Sequence, residues 1–244
     1  MKIVIIGGTG QIGSKVVERL TEQGHEAVAA SPQTGVNTLT GEGLSGALAG
    51  AQVVVDVTNA PSWEDQAVLD FFSTSTRNQL AAEAEQGVRH HIALSIVGSR
   101  DMTGSGYMRA KVAQEDLIIA SGIPYTIIHA AQFFEFVPWI ANASKGEDGK
   151  VRVSPHLFQP IAADDVATAV TRAAVAEPAG GRIEIAGPDR IRIDEAVRLA
   201  VPDADVVTDA SVGYFGADVD DTSLVAGDGA WVGEHRFADY VANA

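Results

Sequence analysis

Apolar positions along the chain switch between two spacings. A short β-branched run, Ile3 to Ile6, stops at a cluster of glycines and gives way to a stretch with Val16, Val17 and Leu20 on one helical face, so the chain opens as strand, tight turn and helix. Gly24 closes that helix. His25 to Ser31 reads as a second strand, Val36 with Asn37 as a short third one, and Leu44 to Leu48 as a helix. Ala51 to Thr58 is a strongly β-branched run suited to a parallel strand buried on both faces. Asp65 to Gln86 has helical pattern up to Gly87, Arg89 to Ser95 is a strand, Tyr107 to Ser121 a helix and Pro124 to His129 a strand. An aromatic loop, Gln132 to Phe136, leads into a polar excursion as far as Lys150. Ile161 to Val166 opens another helix, with Asp164 and Asp165 placed to cap it. Arg182 to Ala186 is a further strand, Ile193 to Ala200 a helix, and His235 to Val241 a final one. This alternation predicts an α/β fold built on a doubly wound parallel sheet, with a small C-terminal lobe.

Bulk properties narrow the classes of function. At 244 residues and 46% hydrophobic content the chain suits one large domain. No apolar run approaches the roughly 18 to 20 residues of a membrane span, and the opening run is too short for a signal peptide. The chain has no cysteine, hence no disulfide framework, thiolate nucleophile or cysteine metal site, which fits a cytoplasmic protein. A formal net charge of −15 argues against a nucleic-acid partner and describes a well-solvated surface. A small-molecule substrate is expected, with oligomeric state left open.

Gly7, Gly8, Gly10 and Gly13 fall directly after the first strand. Residues without a Cβ let the backbone close on a diphosphate while the following helix presents its positive end, so a dinucleotide is the expected guest. The tip of the second strand, Ala30 to Thr34, carries no carboxylate to hold a ribose 2′-hydroxyl and repel a 2′-phosphate. NADP is therefore favoured and NAD is the lesser candidate. The preference is weak, because Ser31, Gln33 and Thr34 offer only neutral hydrogen bonds. Thr58 and Asn59 end the central strand at the carboxyl edge, where such sheets bind ligands. Trp63 on the next loop either covers the nicotinamide or packs the loop. His90 and His91 are adjacent on a strand and point to opposite faces, so no metal site is expected.

Tyr107 and Lys111, four residues apart, share one helix face. An ammonium nearby would favour the phenolate and lower the phenol pKa from about 10. Tyr107 would then exchange a proton with a carbonyl oxygen as general acid or base, Lys111 would hold the nicotinamide ribose, and Ser95 would orient the same oxygen. An exposed helix surface is the alternative reading of the pair.

GGTGQIG at Gly7 to Gly13, Ser95 with Tyr107 and Lys111, Ser121 to Thr126, and Ile161 to Val166 together resemble the short-chain dehydrogenase/reductase superfamily, in its atypical NmrA-like, NAD(P)-binding branch. The resemblance implies one Rossmann-type domain over residues 1–244, with a small substrate lobe formed mainly by about 133–160 and 187–244. It also implies cofactor contacts from Gly7, Thr9, Gly10, Gln11 and Ile12, from Thr58 and Asn59, and from Gln132 and Phe133 beside the nicotinamide. Tyr107 and Lys111 match its catalytic pair. Trp63, Phe134 and Phe136 would make an apolar substrate pocket. The function so implied is NADP(H)-dependent hydride transfer to a small carbonyl or quinone. Epimerisation or dehydration at the same site stays open, as does a non-catalytic redox sensor, since many NmrA-like members lack the tyrosine kept here.

Overall fold

The computed structural model describes residues 1–243. Seven parallel strands form one sheet in the order β11-β8-β5-β4-β3-β1-β2, comprising β1 (Lys2–Ile6), β2 (Glu26–Ala30), β3 (Val53–Asp56), β4 (His90–Ile96), β5 (Tyr125–Ala130), β8 (Gly181–Ala186) and β11 (Trp231–Val232). The helices are α1 (Gln11–Glu22), α2 (Leu44–Leu48), α3 (Asp65–Gln86), α4 (Gly106–Ala120), α5 (Val137–Ala143), α6 (Ala163–Val175), α7 (Ile193–Ala200) and α8 (Phe237–Ala242).

Strand periodicity distributes the core. Ile3, Ile5, Val53 and Val55 pack with Val16 and Leu20 of α1 and Val166 and Val170 of α6, whereas Val4, Ile6 and Val54 pack with Leu44 and Leu48 of α2. Alternate residues of one strand thus meet helices on opposite faces, which is why these strands read as unbroken apolar runs. The chain leaves β1 for β2 on one side and later returns to β3 on the other. That reversal opens a crevice at the carboxyl ends of the strands.

A second core lies outside the sheet layers. Phe134, Val137 and Ile140 gather with Phe158, Ile193, Val197, Leu224 and Phe237. Short strands tie this region together: β6 (Val151–Val153) pairs with β10 (Val206–Thr208), and β7 (Leu157–Phe158) with β9 (Ile191–Arg192). Among the described residues no helix is long and apolar enough to cross a membrane.

Three local expectations are corrected. Val36 and Asn37 form no strand; Asn37 instead closes a loop, its N–H donating to Glu42 O and its side-chain oxygen accepting from Leu39 N. Neither Asp164 nor Asp165 caps α6, whose cap is Ala162 with no side-chain hydrogen bond. Both aspartates lie in its first turn: Asp164 pairs with Lys15 and Arg19 of α1, and Asp165 accepts from His235. The excursion before Lys150 contains α5, started by Pro138 in its first turn, a position that suits proline.

Candidate active site

The glycine turn is built by backbone exclusion. Gly7 has φ +82°, a left-handed conformation, and its N–H donates to Ala30 O at 2.8 Å. A Cβ on Gly13 would lie 2.2 Å from Gly7 O, so only glycine lets α1 approach β1 this closely. Helix α1 begins with Gly10 as a cap lacking a side-chain bond and carries no acidic residue in its first turn. Its free N–H groups therefore face the crevice without a competing anion.

From this turn a cavity of about 850 Å³ runs along the carboxyl edge, within the size range of cofactor sites. Gly7, Thr9, Gly10, Gln11 and Ile12 line it, as do Ser31, Gln33, Thr58, Asn59, Gln132 and Phe133. At the β2 end, Thr9 Oγ1 donates to Gln33 Oε1 at 3.0 Å and the buried Ser31 hydroxyl has no hydrogen-bond partner. Asp56 fixes the end of β3, accepting from Thr58 N and Oγ1 at 2.9 and 2.7 Å and from Gln79 and Gln114. Just past β5, Gln132 is 6% exposed and both its side-chain amide atoms are unpartnered. An orphaned hydroxyl at one end and an orphaned carboxamide at the other, joined by a glycine cradle, fit a dinucleotide whose ribose and carboxamide bring donors and acceptors of their own.

Tyr107 and Lys111 both line the cavity, yet the ammonium does not serve the phenol. Lys111 Nζ donates to Leu94 O at 2.9 Å and to Gln114 Oε1, and lies 4.2 Å from the centre of the Phe72 ring. Burial, the largest effect, pushes its pKa down to about 8 against the pull of Asp56 and Glu115. Tyr107 donates to Asn59 Oδ1 at 2.7 Å. Burial raises its pKa well above the ordinary phenol value, which reverses the lowering expected from the spacing. The phenol is therefore firmly protonated at neutral pH and suited to giving a proton.

Ser95 lines the cavity, but its hydroxyl donates to Glu115 Oε1 at 2.6 Å, so orienting a ligand carbonyl would require displacing that bond. Glu115 is a buried hub that also accepts from His129 at 2.9 Å, Arg182 at 2.9 Å and Arg100 at 3.3 Å. Burial alone would raise its pKa; hydrogen bonds from His129, Ser95 and Arg182 outweigh it and hold the group at about 2. Because this folded value lies below the unfolded one of about 4.5, the stabilisation is present above pH 4.5 and lost as pH falls towards 2. The shift corresponds to about 3 kcal/mol. Urea unfolding should show Glu115→Gln less stable at pH 7 by this order, with the gap closing between pH 5 and 2; a constant gap would rule out the hub as its source.

Among the predicted substrate-pocket residues, Trp63 and Phe136 line the cavity. Phe134 does not: it is fully buried in the second core, edge-on to Phe237 at 5.2 Å, because Phe134–Phe136 is a 3₁₀ turn whose successive side chains point about a third of a turn apart. Glu135, Trp139 and Phe215 also line the cavity and were not singled out from sequence. Pro138 ahead of an apolar stretch was the available signal for the helix carrying Trp139. His90 and His91 point to opposite faces, the first bonded to Thr126 Oγ1 at 2.9 Å and the second to Glu83. Among the described residues no cluster of metal-ligating side chains occurs.

Known proteins share parts of this description. A family model described as NAD(P)H-binding matches residues 7–178. A photosystem II assembly factor of Synechocystis is 22% identical over 170 residues, 62% of this chain and 52% of that protein. Its counterpart from Cyanophora paradoxa is 25% identical over 149 residues, 55% of this chain and 46% of that one. The chain thus spans about half the length of the curated relatives it matches. The Bordetella bronchiseptica enzyme WbmH in complex with NAD+ superposes with a TM-score of 0.75 at 17% identity, covering 100% of this chain and 96% of that one. A UDP-N-acetylglucosamine 4-epimerase from Bacillus cereus gives 0.71 at 18% identity, covering 100% and 94%. At such identities these two likenesses speak for the fold alone.

Proposed function

Since the chain belongs to the NAD(P)H-binding family, we propose that it is an NADP(H)-dependent oxidoreductase of the short-chain dehydrogenase type that reduces a small carbonyl or quinone. The observation supporting this is the single cavity that joins the glycine turn to Tyr107, Lys111 and Gln132. Bound there, a reduced nicotinamide supplies a hydride. The turn of Gly7 to Ile12 holds the diphosphate, and the unmet carboxamide of Gln132 pairs with the carboxamide of the nicotinamide. Tyr107 gives its proton to the oxygen of the acceptor, a contribution worth roughly 10² to 10⁴ in rate. Lys111 donates to the ribose hydroxyls. Ser95 acts as a positioning residue, tying β4 through Glu115 to the helix that carries Tyr107 and Lys111. Neutral groups, Ser31 and Gln33, leave NADP(H) favoured over NAD(H) by less than about tenfold, since no guanidinium grips a 2′-phosphate.

The reading is tested by titrating the protein with NADPH and NADH through nicotinamide fluorescence, then adding a panel of quinones and carbonyl compounds while following absorbance at 340 nm. Tight binding followed by oxidation with at least one acceptor is expected; failure to bind either cofactor would overturn it. A regulator that binds NADP(H) without turnover is the second reading. The similarity to proteins named as assembly factors favours it, and it predicts binding with no oxidation across the panel.

Because the Lys111 ammonium loses its proton around pH 8, cofactor affinity should fall as pH rises from 7 to 9. Replacement of Lys111 by methionine should weaken binding at pH 7 and flatten that dependence; an equally steep profile in the variant would place the titrating group elsewhere.

A further inference from the structure

The acceptor end of the cavity holds a carboxylate that has no ion-pair partner among the described residues, which a neutral carbonyl or quinone would leave unused. Glu135 lies on the wall between Phe133 and Phe136, and its Oε2 is shut off from water with no hydrogen bond. The other lining carboxylate, Asp65, is paired with Arg109. Lys111, the one cation on the wall among the described residues, directs its hydrogen bonds to Leu94 and Gln114. A carboxylate oxygen withdrawn from water and left unpaired is unfavourable, and a cationic ligand relieves that cost.

Aromatic rings continue the same wall. Trp63 stands 4.7 Å from Trp139 and 5.0 Å from Tyr107, centre to centre, while Trp139 stands 4.6 Å from Phe136 and 5.0 Å from Phe215. Phe215 reaches this position from a two-residue turn in which it adopts φ +46° beside Gly216 at +86°, closed by mutual backbone bonds between Tyr214 and Ala217. A left-handed backbone at a bulky residue costs energy, and such strain persists where the placement of the side chain matters. Trp139 is stacked against both Trp63 and Phe136, which leaves Trp63 and Phe215 as the exposed rings of the wall, and an open aromatic face carries the negative part of the ring quadrupole and attracts cations. A carboxylate beside a wall of five rings is chemistry that recognises an organic cation.

We propose that the acceptor reduced here is a carbonyl compound bearing an ammonium group, its charge held by Glu135 and by the open faces of Trp63 and Phe215. The inference rests on reading the cavity as an oxidoreductase site and adds the charge of the substrate to it. It is tested by calorimetric titration with three probes of one size: phenyltrimethylammonium, its neutral isostere tert-butylbenzene, and benzenesulfonate. Titrations are run on the free protein and with NADP+ saturating, so that the cation cannot report on the nicotinamide position. The cation is expected to bind at least about tenfold tighter than the isostere, weakening with salt, and the sulfonate not to bind. Glu135→Gln should lower the affinity for the cation about tenfold and leave that for tert-butylbenzene unchanged, with its melting point confirming the fold. Equal binding of cation and isostere, or a Gln variant that holds the cation as well as the wild type, would overturn the proposal. Because these probes are read without turnover, cation binding with no NADPH oxidation by any acceptor would keep the site and remove the oxidoreductase reading, whereas oxidation of neutral acceptors with no cation preference would do the reverse.

Discussion

Replacing Tyr107 by phenylalanine should lower kcat by roughly 10² to 10⁴, about 3 to 5 kcal/mol of transition-state stabilisation, while the affinity for NADPH stays unchanged. The substitution removes one oxygen and little else. The ring keeps its contacts with Trp63 at 5.0 Å and Phe72 at 5.9 Å, and Asn59 Oδ1 still accepts from Ala60 N at 2.9 Å. What disappears is the proton donor. Burial raises the phenol above its ordinary pKa, so the wild type carries its proton throughout the neutral range and the loss should be nearly independent of pH there. Steady-state oxidation of NADPH with a reactive acceptor, alongside fluorescence titration of the cofactor, measures both quantities. Undiminished kcat would mean that the acceptor draws its proton from elsewhere.

Gly10→Val should weaken NAD(P)H binding by at least about 100-fold, near 3 kcal/mol, in a protein that still folds. The added Cβ meets only Gly7 O, at 3.2 Å, so the turn itself survives; the branched side chain instead covers the first N–H groups of α1. Gly13 behaves differently. Its Cβ would lie 2.2 Å from Gly7 O and 2.7 Å from Gly8 Cα, so Gly13→Val should lose the native fold together with binding. Thermal unfolding and cofactor titration of the two variants separate the roles. Unaltered affinity in Gly10→Val would move the diphosphate away from this turn.

The central strands β1, β3, β4 and β5 were legible because they are buried on both faces, and a run such as Val53 to Val55 admits few other readings, whereas the short, half-exposed edge strand β11 left no such signal. Helix α3 was legible to the residue, since Gly87 terminates it in the left-handed conformation with φ +71°. The glycine turn was equally plain, being a local feature whose geometry is set by its own residues. What sequence spacing missed depends on distant partners. Tyr107 and Lys111 share a helix face as expected, but the ammonium is drawn away by Leu94 O on β4, 17 residues back, and by Gln114, one turn further along the same helix, a competing neighbour that the Tyr–Lys spacing alone does not weigh. Ser95 is claimed by Glu115, 20 residues on, and Asp164 by basic residues of α1 nearly 150 residues away. The substrate end was the least legible part. Phe134 and Phe136 differ only in which way a short 3₁₀ turn faces them, and Phe215 arrives from a turn in a stretch without strong periodicity.

A crystal structure of the protein with NADPH tests the central claim most directly. The account predicts the diphosphate on the turn from Gly7 to Ile12, the nicotinamide carboxamide paired with the side chain of Gln132, and the reactive face of the ring turned towards Tyr107. A nicotinamide directed away from Tyr107, with the Gln132 amide still unpartnered, would contradict it.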